Sequence, residues 1–213
     1  MQRPEIPLDA FSELLTELQR KPLPVNSYRK KAGEGRSQAF GVVNRRSLPP
    51  DYSRNCWLRP YLYKLLLDFA DKYVDISFNA ITVNQNYKAG PHRDKGNVGV
   101  SYLVAFGNYT GGQLRILEGD SKGDWDIRAK PIVESFGDKL HEVLEFSGNR
   151  ISLVFYTLKN APQLPPPSVV QQDGVWRFKR GEEIITTGLP HPLAGRKVGG
   201  IVKEEKAIKI EFV

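Results

Sequence analysis

Apolar residues recur at helical spacing in two stretches near the start of the chain. The first stretch places four apolar side chains on one face: Phe11, Leu14, Leu15 and Leu18. Asp9 stands where a side chain can cap the helix N-terminus, and Pro22 ends the pattern. In the second stretch, Pro60 occupies a first-turn position ahead of the apolar run 61–70. The pattern predicts two packing helices that precede the rest of the fold.

Strand-like patterns dominate the remainder. β-branched and aromatic residues mix with polar ones over 78–87 and 150–156, which is typical of strands. Shorter runs of the same kind predict four more strands: 39–44, 175–178, 183–187 and 207–213. The Gly-rich and Pro-rich segments between them favour turns. The pattern indicates an α+β fold, mainly β, in which N-terminal helices brace a β-sandwich.

The proline distribution suggests how the chain is divided. Residues 161–167 form a Pro-rich segment that favours a stiff, extended connector. We therefore expect an N-terminal helix and loop over 1–35, a core over 36–160, and a β-rich extension over 161–213 that packs on the core.

Composition is consistent with one substantial core. The chain has 213 residues, of which 40% are hydrophobic, including three Trp and ten Phe. Cys56 is the single cysteine, so an intrachain disulfide and a zinc–thiolate site are both excluded. No apolar stretch approaches the length of a membrane span, and the N-terminus lacks the hydrophobic region of a secretory signal. We expect an intracellular monomer, nuclear or cytoplasmic, without membrane contact.

The charge balance points to an anionic partner. Basic residues outnumber acidic ones by 31 to 24, which gives a net charge of +7, and a basic surface attracts the phosphates of nucleic acid. The best candidates for phosphate contact are Arg45 and Arg46, in a segment where basic residues alternate with Tyr28, Tyr52 and Trp57. Core packing of these aromatic residues is the alternative, and the basic stretch 197–209 could instead solvate the tail.

A possible metal site combines two histidines and an aspartate. His92 and Asp94 form a His-x-Asp pair, and His141 follows further along the chain. A lone His-x-Asp pair usually has no function, but both histidine segments here border predicted strands. Two imidazoles and one carboxylate on one face of a metal form the ligand set of non-haem Fe(II) oxygenases. His191 stands between prolines without a spaced partner, so we exclude it from this site.

Arg150 and Ser152 lie at the start of the strand that follows His141. A guanidinium can bind the distal carboxylate of a dicarboxylate co-substrate through two parallel charge-assisted bonds. Ser152, two residues on, points to the same face of the strand and can donate its hydroxyl to that carboxylate. The alternative is a solvent-facing arginine at a strand start.

These residues carry a resemblance to a known superfamily. Over residues 36–158 the sequence resembles the Fe(II)/2-oxoglutarate-dependent dioxygenases, whose core is a double-stranded β-helix, or jelly roll. The run 92–97, His-Arg-Asp-Lys-Gly-Asn, looks like the His-x-Asp-x-x-Asn signature of the TET/JBP group, which oxidises the methyl group of thymine or 5-methylcytosine in nucleic acid. The run 101–114, which ends in Gly-Gly-Gln-Leu, is also similar to that group.

The resemblance implies cofactors and residue roles. Fe(II) would be held by His92, Asp94 and His141, with 2-oxoglutarate anchored on Arg150 and O2 as co-substrate. Asn97 would contact the edge of a flipped pyrimidine, although a Lys-Gly-Asn sequence also favours a plain turn.

Two enzyme classes stay open. One is a base oxygenase acting on DNA or RNA, and the other is a hydroxylase of a peptide side chain or small metabolite. A non-catalytic binding domain is a third alternative, against which the intact set of metal ligands and Arg150 argue.

Overall fold

The structure, a computed structural model, describes residues 1–25, 33–45 and 47–185. A 3-10 turn at Leu8–Phe11 leads into the first of the three helices found among these residues: α1 Ser12–Arg20, α2 Asn55–Leu58 and α3 Pro60–Tyr73. The strands up to the candidate site are β1 Gly33–Arg45, β2 Leu48–Tyr52, β3 Ala80–Ala89, β4 Asn97–Phe106, β5 Tyr109–Gly111, β6 Leu114–Ile116, β7 Gly123–Trp125, β8 Ile132–Glu134 and β9 His141–Val143. The remaining strands are β10 Phe146–Gly148, β11 Ile151–Leu158, β12 Pro167–Gln172, β13 Val175–Arg180 and β14 Glu183–Ile185.

Two groups of antiparallel strands form a sandwich. The major sheet has the order β2-β1-β3-β11-β4-β8. Opposite it are a three-stranded sheet, β7-β6-β9, and the pair β10-β5. Side chains from the major sheet and from β6 and β9 line a common cavity. This arrangement confirms the mainly-β jelly-roll fold that the sequence predicts.

Alternation along β11 separates a helix-facing side of the major sheet from a cavity-facing side. Ile151, Leu153 and Phe155 are fully buried in the larger core. The intervening Ser152 and Val154 line the cavity. Because successive side chains of a strand point to opposite faces, one strand both anchors the core and supplies the cavity wall.

The N-terminal helices cover the outer side of the major sheet, as expected. Phe11 stacks on Phe106 of β4 with ring centroids 4.6 Å apart, and Phe69 of α3 stacks on Phe155 of β11 at 6.0 Å. The expected cap at Asp9 is wrong. Asp9 lies inside the 3-10 turn, its side chain caps no helix, and its backbone carbonyl accepts from the Ser12 hydroxyl at 2.6 Å. The preceding turn provides the entry to α1 that a side-chain cap would otherwise give.

The segment after β11 forms a small sheet that packs on the helices. Residues 161–166 contain no helix or strand, and β12 begins directly afterwards at Pro167, where no strand was expected. Phe178 of β13 is fully buried, with its ring 5.4 Å from that of Tyr52 and 5.9 Å from that of Tyr63. The strand expected at 207–213 lies outside the described residues. None of the described helices has the length and apolar character needed to cross a bilayer.

Candidate active site

Backbone pairing brings the two histidines of the sequence motif together. His141 begins β9 and forms an isolated bridge with His92, in which each backbone N–H donates to the carbonyl oxygen of the other at 2.9 and 3.0 Å. The backbone N–H of Asp94 donates to the carbonyl oxygen of Phe136 at 2.9 Å. The ligand atoms of His92, Asp94 and His141 all lie within 4.8 Å of one another.

Carbonyl oxygens determine which ring nitrogen faces the centre of this triad. The Nδ1 of His92 lies 2.8 Å from the carbonyl oxygen of Gly90, and the Nδ1 of His141 lies 2.9 Å from that of Lys139. When Nδ1 donates to a carbonyl, the lone pair stays on Nε2. These Nε2 atoms lie 3.6 Å (His92) and 3.9 Å (His141) from oxygens of the Asp94 carboxylate.

The chemistry of this donor set fits a divalent transition metal. His141 is 4% exposed, and burial lowers the pKa of its imidazole, which favours the neutral form that ligates metals. Two imidazoles and one carboxylate leave several coordination positions open, as a non-haem Fe(II) site requires. The residues present therefore fit the metal that the resemblance implies.

The triad opens onto a cavity of about 440 Å³ between the sheets. Polar residues of the major sheet line it together with the triad, among them Thr82, Asn84, Ser152 and Tyr156. Its apolar lining comes from both sides of the sandwich: Leu103, Leu114, Ile127, Val143, Val154 and Leu158. Such a mixture of an apolar wall and a few polar groups is typical of a small-molecule site.

Arg150 lines the same cavity directly before β11 and is only 2% exposed. Its Nε donates to the carbonyl oxygen of Gly112 at 3.1 Å, and its guanidinium lies 5.6 and 5.8 Å from the ring centroids of Tyr109 and Phe146. No carboxylate in the described part of the chain forms an ion pair with it. Burial lowers the pKa of Arg150, but a guanidinium remains protonated. A buried cation on the cavity wall, with no carboxylate of the described residues at ion-pair distance, favours an anionic ligand.

Asn86 and Gly112 fix the position of Arg150, and the sequence analysis assigned neither of them a role. The side-chain oxygen of Asn86 accepts from the Arg150 backbone N–H at 2.8 Å, and the Asn86 N–H donates to the Arg150 carbonyl oxygen at 2.7 Å. Gly112 has a φ of +72°, and a Cβ there would lie 2.9 Å from the Cδ of Arg150. The Gly-Gly pair at 111–112 was the available sequence signal for this contact.

Ser152 lies on the cavity side of β11, as expected from its spacing to Arg150. It is 6% exposed and pairs in register with Asn84 of β3. The Asn84 side-chain amide donates to the Ser152 hydroxyl at 3.4 Å. The hydroxyl therefore keeps a free proton that it can donate to a ligand next to Arg150.

Asn97 forms the turn that its sequence context favours, and it also lies on the cavity wall. Its backbone N–H donates to the carbonyl oxygen of Asp94 at 2.8 Å, which closes a turn after the His-x-Asp pair. Its side chain also lines the cavity, and the amide donates to the Ser101 hydroxyl at 3.4 Å.

Arg45 lies at the end of β1 and is not among the residues that line the cavity. Its Nε donates to the carbonyl oxygen of Pro49 at 2.9 Å, and its guanidinium lies 3.3 Å from the Asp51 carboxylate. Arg46, Tyr28, the basic run 29–31 and His191 lie outside the described residues. Of the expected aromatic partners, Tyr52 is buried and Trp57 packs partly buried against the core.

Comparison with known proteins supports the fold. No protein-family model matches the chain, and no curated protein matches it in sequence. The structure of NgTET1 in complex with 5mC DNA is similar, with 16% identity, a TM-score of 0.52, and coverage of 75% of this chain and 72% of that chain. An oxidoreductase of the 2OG-Fe(II) oxygenase family from Burkholderia pseudomallei has 17% identity, a TM-score of 0.50, and coverage of 73% and 83%. The chain therefore has the fold of the 2-oxoglutarate/Fe(II) oxygenases, which confirms the resemblance at the level of architecture.

Proposed function

We propose that this protein is an Fe(II)- and 2-oxoglutarate-dependent dioxygenase that oxidises the methyl group of a pyrimidine, 5-methylcytosine or thymine, in nucleic acid. The observation that carries the proposal is the presence, on one cavity, of a His-Asp-His triad and a buried arginine without an acidic partner. The triad would bind the metal, and the arginine would bind the distal carboxylate of a dicarboxylate that chelates this metal.

Each group of residues at the site would have its own role in the reaction. His92, Asp94 and His141 would hold Fe(II), which when bound supplies O2 activation and C–H oxidation coupled to the conversion of 2-oxoglutarate to succinate and CO2. Arg150 and Ser152 would bind and orient the distal carboxylate of 2-oxoglutarate. One oxygen atom enters succinate and the other converts a methyl group to a hydroxymethyl group. The apolar cavity wall would exclude water from the reacting atoms.

The nucleic-acid part of the proposal is supported by charge and by the cavity mouth. Lys95 is exposed and lines the cavity, and the backbone N–H of exposed Lys159 donates to the carbonyl oxygen of Gly96 at 2.8 Å, so both lysines lie near the mouth. Neither forms an ion pair with a described residue. They join Arg45 and Arg46 as candidates for phosphate contact. Arg45 can bind a phosphate only when it leaves its ion pair with Asp51. Asn97 would contact the base edge with its amide.

The test is a substrate panel. Single- and double-stranded oligonucleotides of DNA and RNA that contain thymine or uracil, 5-methylcytosine or unmodified cytosine are incubated with Fe(II), 2-oxoglutarate and air, and nucleosides are read by mass spectrometry. We expect hydroxymethyl products from one methylated pyrimidine, none from unmodified cytosine, and none with the Asp94→Ala variant. Asn97→Ala should lower turnover and blur the choice between methylated bases while it leaves nucleic-acid affinity nearly unchanged.

Phosphate contacts are tested separately by salt dependence. Replacement of a phosphate-binding lysine or arginine should weaken binding to all sequences and reduce the salt slope by about one per lost contact. No nucleic-acid binding at low salt, combined with 2-oxoglutarate turnover that only a peptide or a metabolite stimulates, would move the assignment to the hydroxylase class.

A further inference from the structure

The residue between the two ligands of the His-x-Asp pair makes an unusually complete set of polar contacts. The Nε of Arg93 donates to Glu118 Oε1 at 3.0 Å, and its terminal nitrogen donates to both Glu118 oxygens at 2.6 and 2.8 Å. The same Nε also donates to the carbonyl oxygen of Asp138 at 3.0 Å. The side chain of Arg93 is thus held in one orientation at two separate points.

Glu118 accepts a fourth hydrogen bond, from the segment that carries His141. Its Oε1 accepts from the backbone N–H of Leu140 at 2.6 Å, one residue before His141. The neighbouring Leu117 N–H donates to the Leu140 carbonyl oxygen at 2.9 Å, which keeps the two segments side by side. One carboxylate therefore contacts the chain neighbours of all three candidate ligands.

The local backbone explains why such a contact matters. Residues 90–96 contain no helix or strand, and the His92–His141 bridge is an isolated one. A metal site needs its ligands held to within fractions of an ångström, and an irregular segment cannot supply this from its own backbone pairing.

Exposure alone would make the pair a weak one, because Arg93 and Glu118 are 37% and 38% exposed. The bidentate geometry and the additional backbone donor distinguish it from an ordinary surface pair. The Leu140 N–H, followed by Arg93, lowers the pKa of the Glu118 carboxyl, so Glu118 is ionised at neutral pH.

We propose that Glu118 is a positioning residue which, through Arg93 and the Leu140 N–H, holds the His92–Asp94 segment and the His141 segment at metal-binding separation. The inference rests on the proposed metal centre and adds to it a residue that touches neither metal nor substrate. Its effect should therefore appear in metal affinity before any reaction takes place.

The test measures the dissociation constant for Mn(II), a redox-silent substitute for Fe(II), by titration calorimetry of the full-length protein. Glu118→Ala removes all four hydrogen bonds and should raise the constant about tenfold or more, the effect typical of residues that orient metal ligands. Glu118→Gln keeps an acceptor for the Leu140 N–H but loses the charge opposite Arg93, so an intermediate value is expected.

Asp75→Asn is the matched control. It breaks another two-bond pair, in which Arg3 lies 3.3 and 2.9 Å from the two Asp75 oxygens with exposures of 32% and 54%, and which contacts neither Arg93 nor Leu140. Its Mn(II) constant should equal that of the wild type. Urea unfolding without metal is recorded for each variant, because a merely structural role would lower the unfolding midpoint and leave the Mn(II) constant unchanged.

The possible results distinguish failure of the positioning role from failure of the metal centre. A Glu118→Ala constant within twofold of the wild type overturns the positioning role, while the metal centre stands. A wild-type protein that binds no Mn(II) overturns the metal centre itself. If Glu118→Ala does not fold, Arg93→Gln is measured in its place, and an unchanged constant there has the same meaning.

Discussion

Replacement of Arg150 by methionine tests the co-substrate site most sharply. Methionine keeps an unbranched apolar stem between the rings of Tyr109 and Phe146, so packing is largely preserved while the charge is lost. In the absence of ligand the change removes a buried cation that has no acidic partner among the described residues. We therefore expect the free energy of unfolding without 2-oxoglutarate to change little.

The loss in 2-oxoglutarate affinity can be estimated from the site. Hydrogen bonds to charged groups contribute about 1.5–3 kcal/mol, and every 1.4 kcal/mol is about a factor of ten in affinity. Because Arg150 is only 2% exposed, the upper half of this range applies, which corresponds to a loss of roughly 40- to 140-fold. Ser152→Ala removes a neutral hydroxyl donor and should cost about tenfold or less.

The assay is calorimetric titration of the Mn(II)-loaded protein with 2-oxoglutarate and with 2-oxobutyrate, which lacks the distal carboxylate. The wild type should prefer 2-oxoglutarate strongly, and Arg150→Met should lose that preference by weakening 2-oxoglutarate binding alone. Equal losses for both ligands, or unchanged 2-oxoglutarate affinity, would refute the anchoring role and leave Arg150 as a structural residue.

Three further predictions concern the surroundings of the site. Gly112→Ala should weaken 2-oxoglutarate binding, because the added Cβ would meet the side chain of Arg150. Gly174 has a similar φ but open space around it, so Gly174→Ala should lower only the free energy of unfolding, by the backbone cost of about 1–2 kcal/mol. Equal dissociation constants for 2-oxoglutarate in the two variants would contradict this. Phe178→Ala should lower the free energy of unfolding by about 3–5 kcal/mol in urea titration. Val175 lies on the same strand but is 52% exposed, so Val175→Ala should leave that free energy nearly unchanged. Equally small effects of both substitutions would mean that β12–β14 pack only loosely. Burial raises the pKa of the Cys56 thiol to about 12, so a thiol reagent at pH 8 should label it only after unfolding, and rapid labelling of the native protein would be inconsistent with the core.

The sequence pattern was most informative where a strand pattern and chemistry coincided. The run 150–156 is rich in β-branched and aromatic residues and has Arg150 and Ser152 two positions apart, and the structure has a strand there with Ser152 on the cavity side. The His92–Asp94 pair was recognisable because it follows a strand, β3. Three-residue strands such as β8 and β9 were not recognisable, because such short segments carry no period to detect.

Contacts between distant segments explain what the sequence could not provide. Asn86 and Arg150 are 64 positions apart, and Arg93 and Glu118 are 25 apart, so neither hydrogen-bonded pair leaves a local pattern. The basic residue Arg45 was chosen from composition, but the structure pairs it with Asp51 six residues further on. Charge in a sequence indicates the kind of partner, while exposure and pairing in the fold determine which cations are available.

The central claim is that the triad and Arg150 support 2-oxoglutarate-dependent oxidation, and succinate formation tests it most directly. The wild-type protein, loaded with Fe(II) under air, is given 2-oxoglutarate together with the nucleic-acid panel, and succinate is quantified against Asp94→Ala under the same conditions. We predict metal-dependent succinate formation by the wild type that is stimulated by a methylated pyrimidine and almost absent from the variant. No succinate from the iron-loaded wild type, or equal amounts from the wild type and Asp94→Ala, would contradict the account.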